Sequence, residues 1–187
     1  MAEERPTIWT IGHSTRSLEE FLELLGLNRI EALADVRRFP GSRRYPHFGQ
    51  DQLAASLHKA HIGYRHFPEL GGRRRASPDS LNLAWRNETF RAYADFMETS
   101  EFAEGVEKLR KLARANRTAI MCAEAVWWRC HRGLISDFLK ADGWQVLHIL
   151  SRAKIEEHPF TSAASIVNGK LSYRNPPDGQ QPALSFS

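Results

Sequence analysis

Apolar positions along the chain fall into short runs that switch between a strand-like and a helix-like period, which predicts strands interleaved with helices. Thr7-Ile8-Trp9-Thr10-Ile11 is β-branched and aromatic and stops at Gly12-His13-Ser14, as a buried first strand would. Ser17 with Glu20 forms an N-cap signal, Leu18, Phe21, Leu22 and Leu25 share one helical face, and Gly26 ends it. Residues 30–36 then read as a second strand that delivers Asp35 and Arg37 at its end. Strand, helix, strand implies a right-handed crossover and parallel pairing.

Residues 38–49 mix Pro40, Gly41 and Pro46 with arginines and aromatics and read as a functional loop. A helix over 51–60 presents Leu53 and Leu57, and a short strand over 64–67 leads into Pro68-Glu69-Leu70-Gly71-Gly72-Arg73-Arg74-Arg75, a second such loop. Helices are expected over 90–97 and 102–115, the latter with Val106, Leu109 and Leu112 inward. Residues 118–122 form a buried strand, 133–140 a helix carrying Leu134, Ile135, Phe138 and Leu139, and 145–150 a strand that closes the sheet. The expectation is one α/β domain over 1–150, a Rossmann-like layered fold with a mainly parallel sheet of about five strands flanked by helices. A C-terminal extension over 151–187 has an Asn168-Gly169 hairpin signal and a Pro/Gly/Gln-rich, mobile tail.

Length and hydropathy bound the class. A chain of 187 residues, 42% hydrophobic, supports one sizeable core. No run approaches the roughly 20 apolar residues of a membrane helix, and Met1-Ala2-Glu3-Glu4-Arg5-Pro6 lacks signal-peptide order, so the protein is expected in the cytoplasm and off the membrane. Two cysteines, Cys122 and Cys130, are too few for a disulfide scaffold. The net charge is +4, yet residues 37–75 hold eight arginines and one lysine against two carboxylates, a local +7. Arginine suits phosphate and base stacking, so DNA, RNA or a nucleotide is the expected partner; the plainer reading is a solvated face.

Three strands are expected to end in ionisable or nucleophilic groups, at His13-Ser14, at Asp35 and Arg37, and at Cys122 and Glu124, where open parallel sheets bind ligands. Ile11-Gly12-His13-Ser14, Asp35-Val36-Arg37 with Pro40 and Ser42, Leu70-Gly71-Gly72, Cys122-x-Glu124 and Cys130-His131-Arg132 together resemble the domain-of-unknown-function family numbered 488, in order and from about Thr7 to Leu150. That resemblance implies an α/β cytoplasmic domain and no particular reaction.

Base-directed hydrolysis or modification, such as N-glycosidic cleavage, would use Asp35 and Glu124 as acid/base carboxylates with His13 as their polar partner. Ser14, Arg37, Ser42, Arg43, Arg44, Tyr45, Gly71, Gly72, Arg73, Arg74, Cys130, His131 and Arg132 would bind substrate, with Trp127 and Trp128 stacking on a base or else packing inward. A cysteine-dependent hydrolase or sulfur transferase is the alternative, because Cys130 precedes a helix beside His131 and Arg132, with Cys122 as site scaffold. A non-enzymatic nucleic-acid-binding module is the third. Adjacent Cys130 and His131 make poor joint ligands, so no metal is expected, and no glycine-rich dinucleotide or phosphate-loop motif calls for a cofactor.

Overall fold

The computed structural model describes residues 5–41 and 43–174. The chain runs β1 Thr7–Gly12, α1 Leu18–Leu27, β2 Ala32–Asp35, α2 Gln50–Lys59, β3 Gly63–His66, α3 Glu88–Phe96, α4 Ser100–Ala115, β4 Thr118–Cys122, α5 Arg132–Ala141, β5 Gln145–Ser151 and β6 Lys154–Glu157. A separate hairpin follows, β7 Ser165–Val167 and β8 Lys170–Ser172, where Asn168-Gly169 forecast it. The main sheet has the order β3-β2-β4-β1-β5-β6, parallel except for β6.

Alternation along the strands splits the core into two layers. Trp9, Ile11, Leu33, Ala119 and Met121 face Phe21, Leu24, Leu53 and Leu57 of α1 and α2. Ile8, Ala34, Ile120 and Cys122 face Phe102, Val106 and Leu134 of α4 and α5. This is the doubly wound α/β arrangement.

Element edges moved for identifiable reasons. The Ile30 amide bonds back to Leu25 (2.9 Å) to close α1, so β2 starts two residues later than its apolar run. Asn87 caps α3 through the amides of Thr89 and Phe90, and Thr99 caps α4, so both helices begin earlier than expected. The larger correction is at the sheet edge. β5 does not close the sheet, because β6 pairs antiparallel beyond it and brings the strand count to six. β6 carries a single apolar residue, Ile155, which is 48% exposed, so its Lys/Glu edge character hid it. His158 and Tyr173 are also buried, which carries the core past Leu150. The expected mobile tail lies outside the described residues, as does Ser42. No helix among the described residues is long and apolar enough to cross a membrane.

Candidate functional site

β1 and β2 hand the chain to α1 and α2 on one face, whereas β4, between them, hands it to α5 on the other. The carboxyl end of β4 is therefore a switch point where the loops diverge and leave a crevice. Beyond Cys122 the loop leans on the end of β1: the amides of His13 and Ser14 donate to the Cys122 and Ala123 carbonyls at 3.0 and 2.9 Å. A Cβ on Gly12 would stand 1.8 Å from the Glu124 carbonyl oxygen, so only glycine permits this approach.

Arg132, 2% exposed, reaches back from α5 to brace the same loop. Its Nη2 donates to the Glu124 carbonyl at 2.7 Å and its Nη1 to Thr10 Oγ1 at 3.3 Å. A buried chain continues from Thr10 to His148 (2.7 Å), to His158 (2.9 Å) and to Asp137 (2.9 Å). A guanidinium only donates and a carboxylate only accepts, so one hydrogen per link running from Arg132 to Asp137 completes every link with singly protonated imidazoles. Burial holds His148 far below its ordinary pKa, with His158 and Arg132 adding to the effect. Trp127 stacks on His148 at 4.8 Å and seals this network.

Cys130 lies just before α5, and its sulfur is 2.6 Å from that of Cys122. The Arg132 amide donates to Cys130 Sγ at 3.4 Å, and His131 Nδ1 is 3.5 Å away. His131 Nε2 donates to the Val36 carbonyl at 3.0 Å, which fixes the tautomer and turns the Nδ1 lone pair toward the thiol. Gly72 packs on this ring so closely that a Cβ would lie 3.0 Å from Nδ1. Burial opposes a Cys130 thiolate, but the Cys122 S–H, the Arg132 charge and the Arg132 amide outweigh it and pull the thiol down to about 7. Burial, and donation to Cys130, push Cys122 well above its ordinary value. Burial also lowers His131.

Cys122, Cys130 and His131 line a cavity of about 370 Å³. Arg37, Arg38, Arg73 and Arg129 line it against a single carboxylate, Glu124, and Phe39, Phe90 and Tyr93 give it apolar walls. The site is thus a thiol at the base of an arginine-lined cleft. Among the described residues no group of three or more His, Cys, Asp or Glu side chains is arranged to hold a metal ion.

A family model matches residues 17–139, from the N-cap of α1 to the last turn of α5, and so takes in β4, the loop and both cysteines. The chain belongs to the DUF488 family, a domain of unknown function. The matched span is shorter than the resemblance running from Thr7 to Leu150, and it leaves out His13 and Gly12. No curated protein and no solved structure matches the chain.

Several expected site residues turn out to be braces. Asp35, fully buried, accepts from Arg37 Nε at 2.9 Å and Nη2 at 2.6 Å, from the Arg37 amide at 3.1 Å and from the Tyr64 hydroxyl at 2.7 Å. With both oxygens engaged and no face on the cavity, it does not fit an acid/base role; it orients Arg37. Its carboxylate, after burial, drives Tyr64 above the ordinary phenol range. His13 is likewise off the cavity: it stacks on Phe48 at 4.3 Å, and its Nε2 faces Arg37 Nη1 at 3.4 Å. Burial lowers it to about 4, so it is a neutral support for Arg37. Arg74 spans the Phe96 ring at 3.5 Å and donates to the Glu69 and Gly71 carbonyls, which removes it from substrate binding. Arg132 and Trp127 are spent on the loop and core as described, and Gly71 packs on the Arg38 backbone, where a Cβ would meet it at 2.7 Å.

Glu124, Arg37, Gly72, Arg73, Cys130 and His131 do line the cleft. Glu124 is exposed, and its carboxylate has no partner among the described residues. Ser14 (φ 48°) and Tyr45 sit outside the cleft, half-buried; Arg43 and Arg44 are exposed, and so is Trp128, at 50%. Arg38, Phe39, Phe90, Tyr93 and Arg129 line the cleft without having been singled out. Arg129 and Arg38 could have been found as neighbours of Cys130 and Arg37; Phe90 and Tyr93 arrive from α3 and carry no local signal.

Proposed function

We propose that the protein is a cysteine-dependent sulfur transferase that takes sulfur from an anionic donor. The observation that carries this reading is the Cys130 sulfur, lying before α5 within reach of the Arg132 amide and Cys122, at the base of a cleft with four arginines. Such a thiol is a thiolate in part at neutral pH. Arg38, Arg73 and Arg129 would hold the donor's charge while Cys130 attacks its outer sulfur. The new S–S bond forms as the bond to the anionic leaving group breaks, and the electron pair departs with that group. His131 Nδ1 accepts the Cys130 proton when the thiol enters the step protonated. Phosphoryl hydrolysis is less well supported, because a single backbone amide reaches Cys130 Sγ among the described residues and Arg132 occupies the Glu124 carbonyl, which leaves no ring of donors for a transferring phosphoryl group.

Thiosulfate is the probe. It should release one equivalent of sulfite per chain in a step that passes sulfur to Cys130, and none from Cys130→Ser. Iodoacetamide should alkylate Cys130 with a rate that rises through pH about 7. No sulfite release, with alkylation rising only near the ordinary thiol value of 9.0, refutes the reading.

The rim supports a second reading in which DNA, RNA or a nucleotide is the anionic partner. Phe39 is 69% exposed beside Arg38, and Trp128, Arg43 and Arg44 are exposed as well. Single-stranded oligonucleotide binding that weakens with salt and in Arg43→Ala/Arg44→Ala would support it; salt-independent binding would end it.

A further inference from the structure

The arrangement of the two thiols does more than polarise one of them. Cys122 closes β4, and Cys130 comes eight residues later on the same crossover, so a seven-residue loop joins two sulfurs already 2.6 Å apart. A disulfide at about 2.0 Å is therefore within about half an ångström of this geometry. Both cysteines line the cleft, although Cys122 is only 2% exposed and Cys130 only 5%. The other acceptor near the Cys122 thiol is the Glu124 carbonyl, at 4.0 Å. A sulfur group attached to Cys130 would consequently have a second thiol against its inner sulfur. A passive core cysteine needs only apolar neighbours, and Cys122 has those on its helix-facing side.

We infer that Cys122 is a second working thiol, which resolves sulfur adducts on Cys130 by closing a Cys122–Cys130 disulfide. This rests on the reading of Cys130 as the nucleophile. In the step, Cys122 sulfur attacks Cys130 sulfur. The Cys122–Cys130 bond forms, the bond from Cys130 to the carried group breaks, and the Cys122 proton leaves with that group as a free thiol. Where the carried group is a single sulfur atom, the product is hydrosulfide: the transferred sulfur is reduced and the two cysteines are oxidised. An external thiol then reduces the disulfide in two exchanges and restores the pair. Cys122 thus turns a sulfur carrier into one that can also release its sulfur reductively.

The full chain is treated with 5,5′-dithiobis(2-nitrobenzoate), an anionic aromatic disulfide, and both released thionitrobenzoate and protein mass are followed. The wild type should release two equivalents per chain and end two hydrogens lighter, with a peptide linking Cys122 to Cys130. Cys122→Ser should release one equivalent and keep a stable mixed disulfide on Cys130. A wild-type chain that keeps one or two thionitrobenzoate groups overturns the inference while leaving the Cys130 nucleophile intact. A Cys130 that fails to react quickly defeats the functional reading itself, so the failures are separable. If Cys122→Ser does not fold, the wild-type end mass decides alone.

Discussion

Asp137→Asn is the sharpest perturbation the fold offers, because Asp137 is fully buried and accepts four hydrogen bonds. Oδ1 takes the His158 Nε2 hydrogen and the Thr161 amide, each at 2.9 Å. Oδ2 takes the Thr161 hydroxyl at 2.6 Å and the Tyr173 hydroxyl at 2.7 Å. Asparagine keeps one acceptor oxygen and replaces the other with an amide donor, so whichever way it turns, two buried donors lose their partner. An orphaned buried donor costs about 1–3 kcal/mol, and the hydroxyls can rotate to accept, which sets the loss at about 2–4 kcal/mol. With a urea slope of roughly 1–3 kcal/mol per molar for a domain of this order, the unfolding midpoint should fall by about 1–2 M with the slope unchanged. Four hydrogen-bonded links separate Asp137 from Arg132, and Thr10 still meets Arg132, so the pH midpoint of Cys130 alkylation should stay near 7. A midpoint shift under about 0.5 M would refute the hydrogen-bond account, and a displaced alkylation profile would show that the network tunes the thiol.

Two further outcomes follow from the braces. Asp35→Asn breaks a buried bidentate pair with Arg37 and should cost about 3–5 kcal/mol in urea unfolding, whereas a fully stable but inactive variant would restore Asp35 to the chemistry. His13 has a folded pKa of about 4 against 6.5 when exposed, so the unfolded chain binds the extra proton between those values. Stability should therefore be complete above pH 6.5 and decline as pH falls toward 4, by up to about 3 kcal/mol from this group, and His13→Gln should flatten that slope.

How much of this was legible along the chain varies by element. β1, β4 and the helix after Cys130 announce themselves through uninterrupted apolar runs and flanking glycine or cap residues, and the switch-point rule then names the end of β4. Asp35 and Arg37 were visible as a pair, and two-residue spacing at a strand end keeps side chains on one side, yet an engaged carboxylate and a reactive one look alike in sequence. The Thr10–His148–His158–Asp137 chain had no local pattern, since Thr10 and His148 are 138 positions apart. Arg74 and Arg73 are neighbours of identical type. Only the turn at Arg73, with φ of 60°, sends one toward the cleft and the other across Phe96.

The central position of β1 bears on what a family boundary means. β1 lies between β4 and β5, yet it precedes residue 17, where the family match begins, and β5 follows residue 139, where it ends. A fragment cut to the matched span would lose the middle of its own sheet, leave the inner edge of β4 with unpaired amides and carbonyls, and strip Gly12 and Thr10 from the loop that carries both cysteines. Such a fragment should aggregate rather than fold. The recognisable segment is a signature of ancestry, and the smallest heritable unit that works is longer than it.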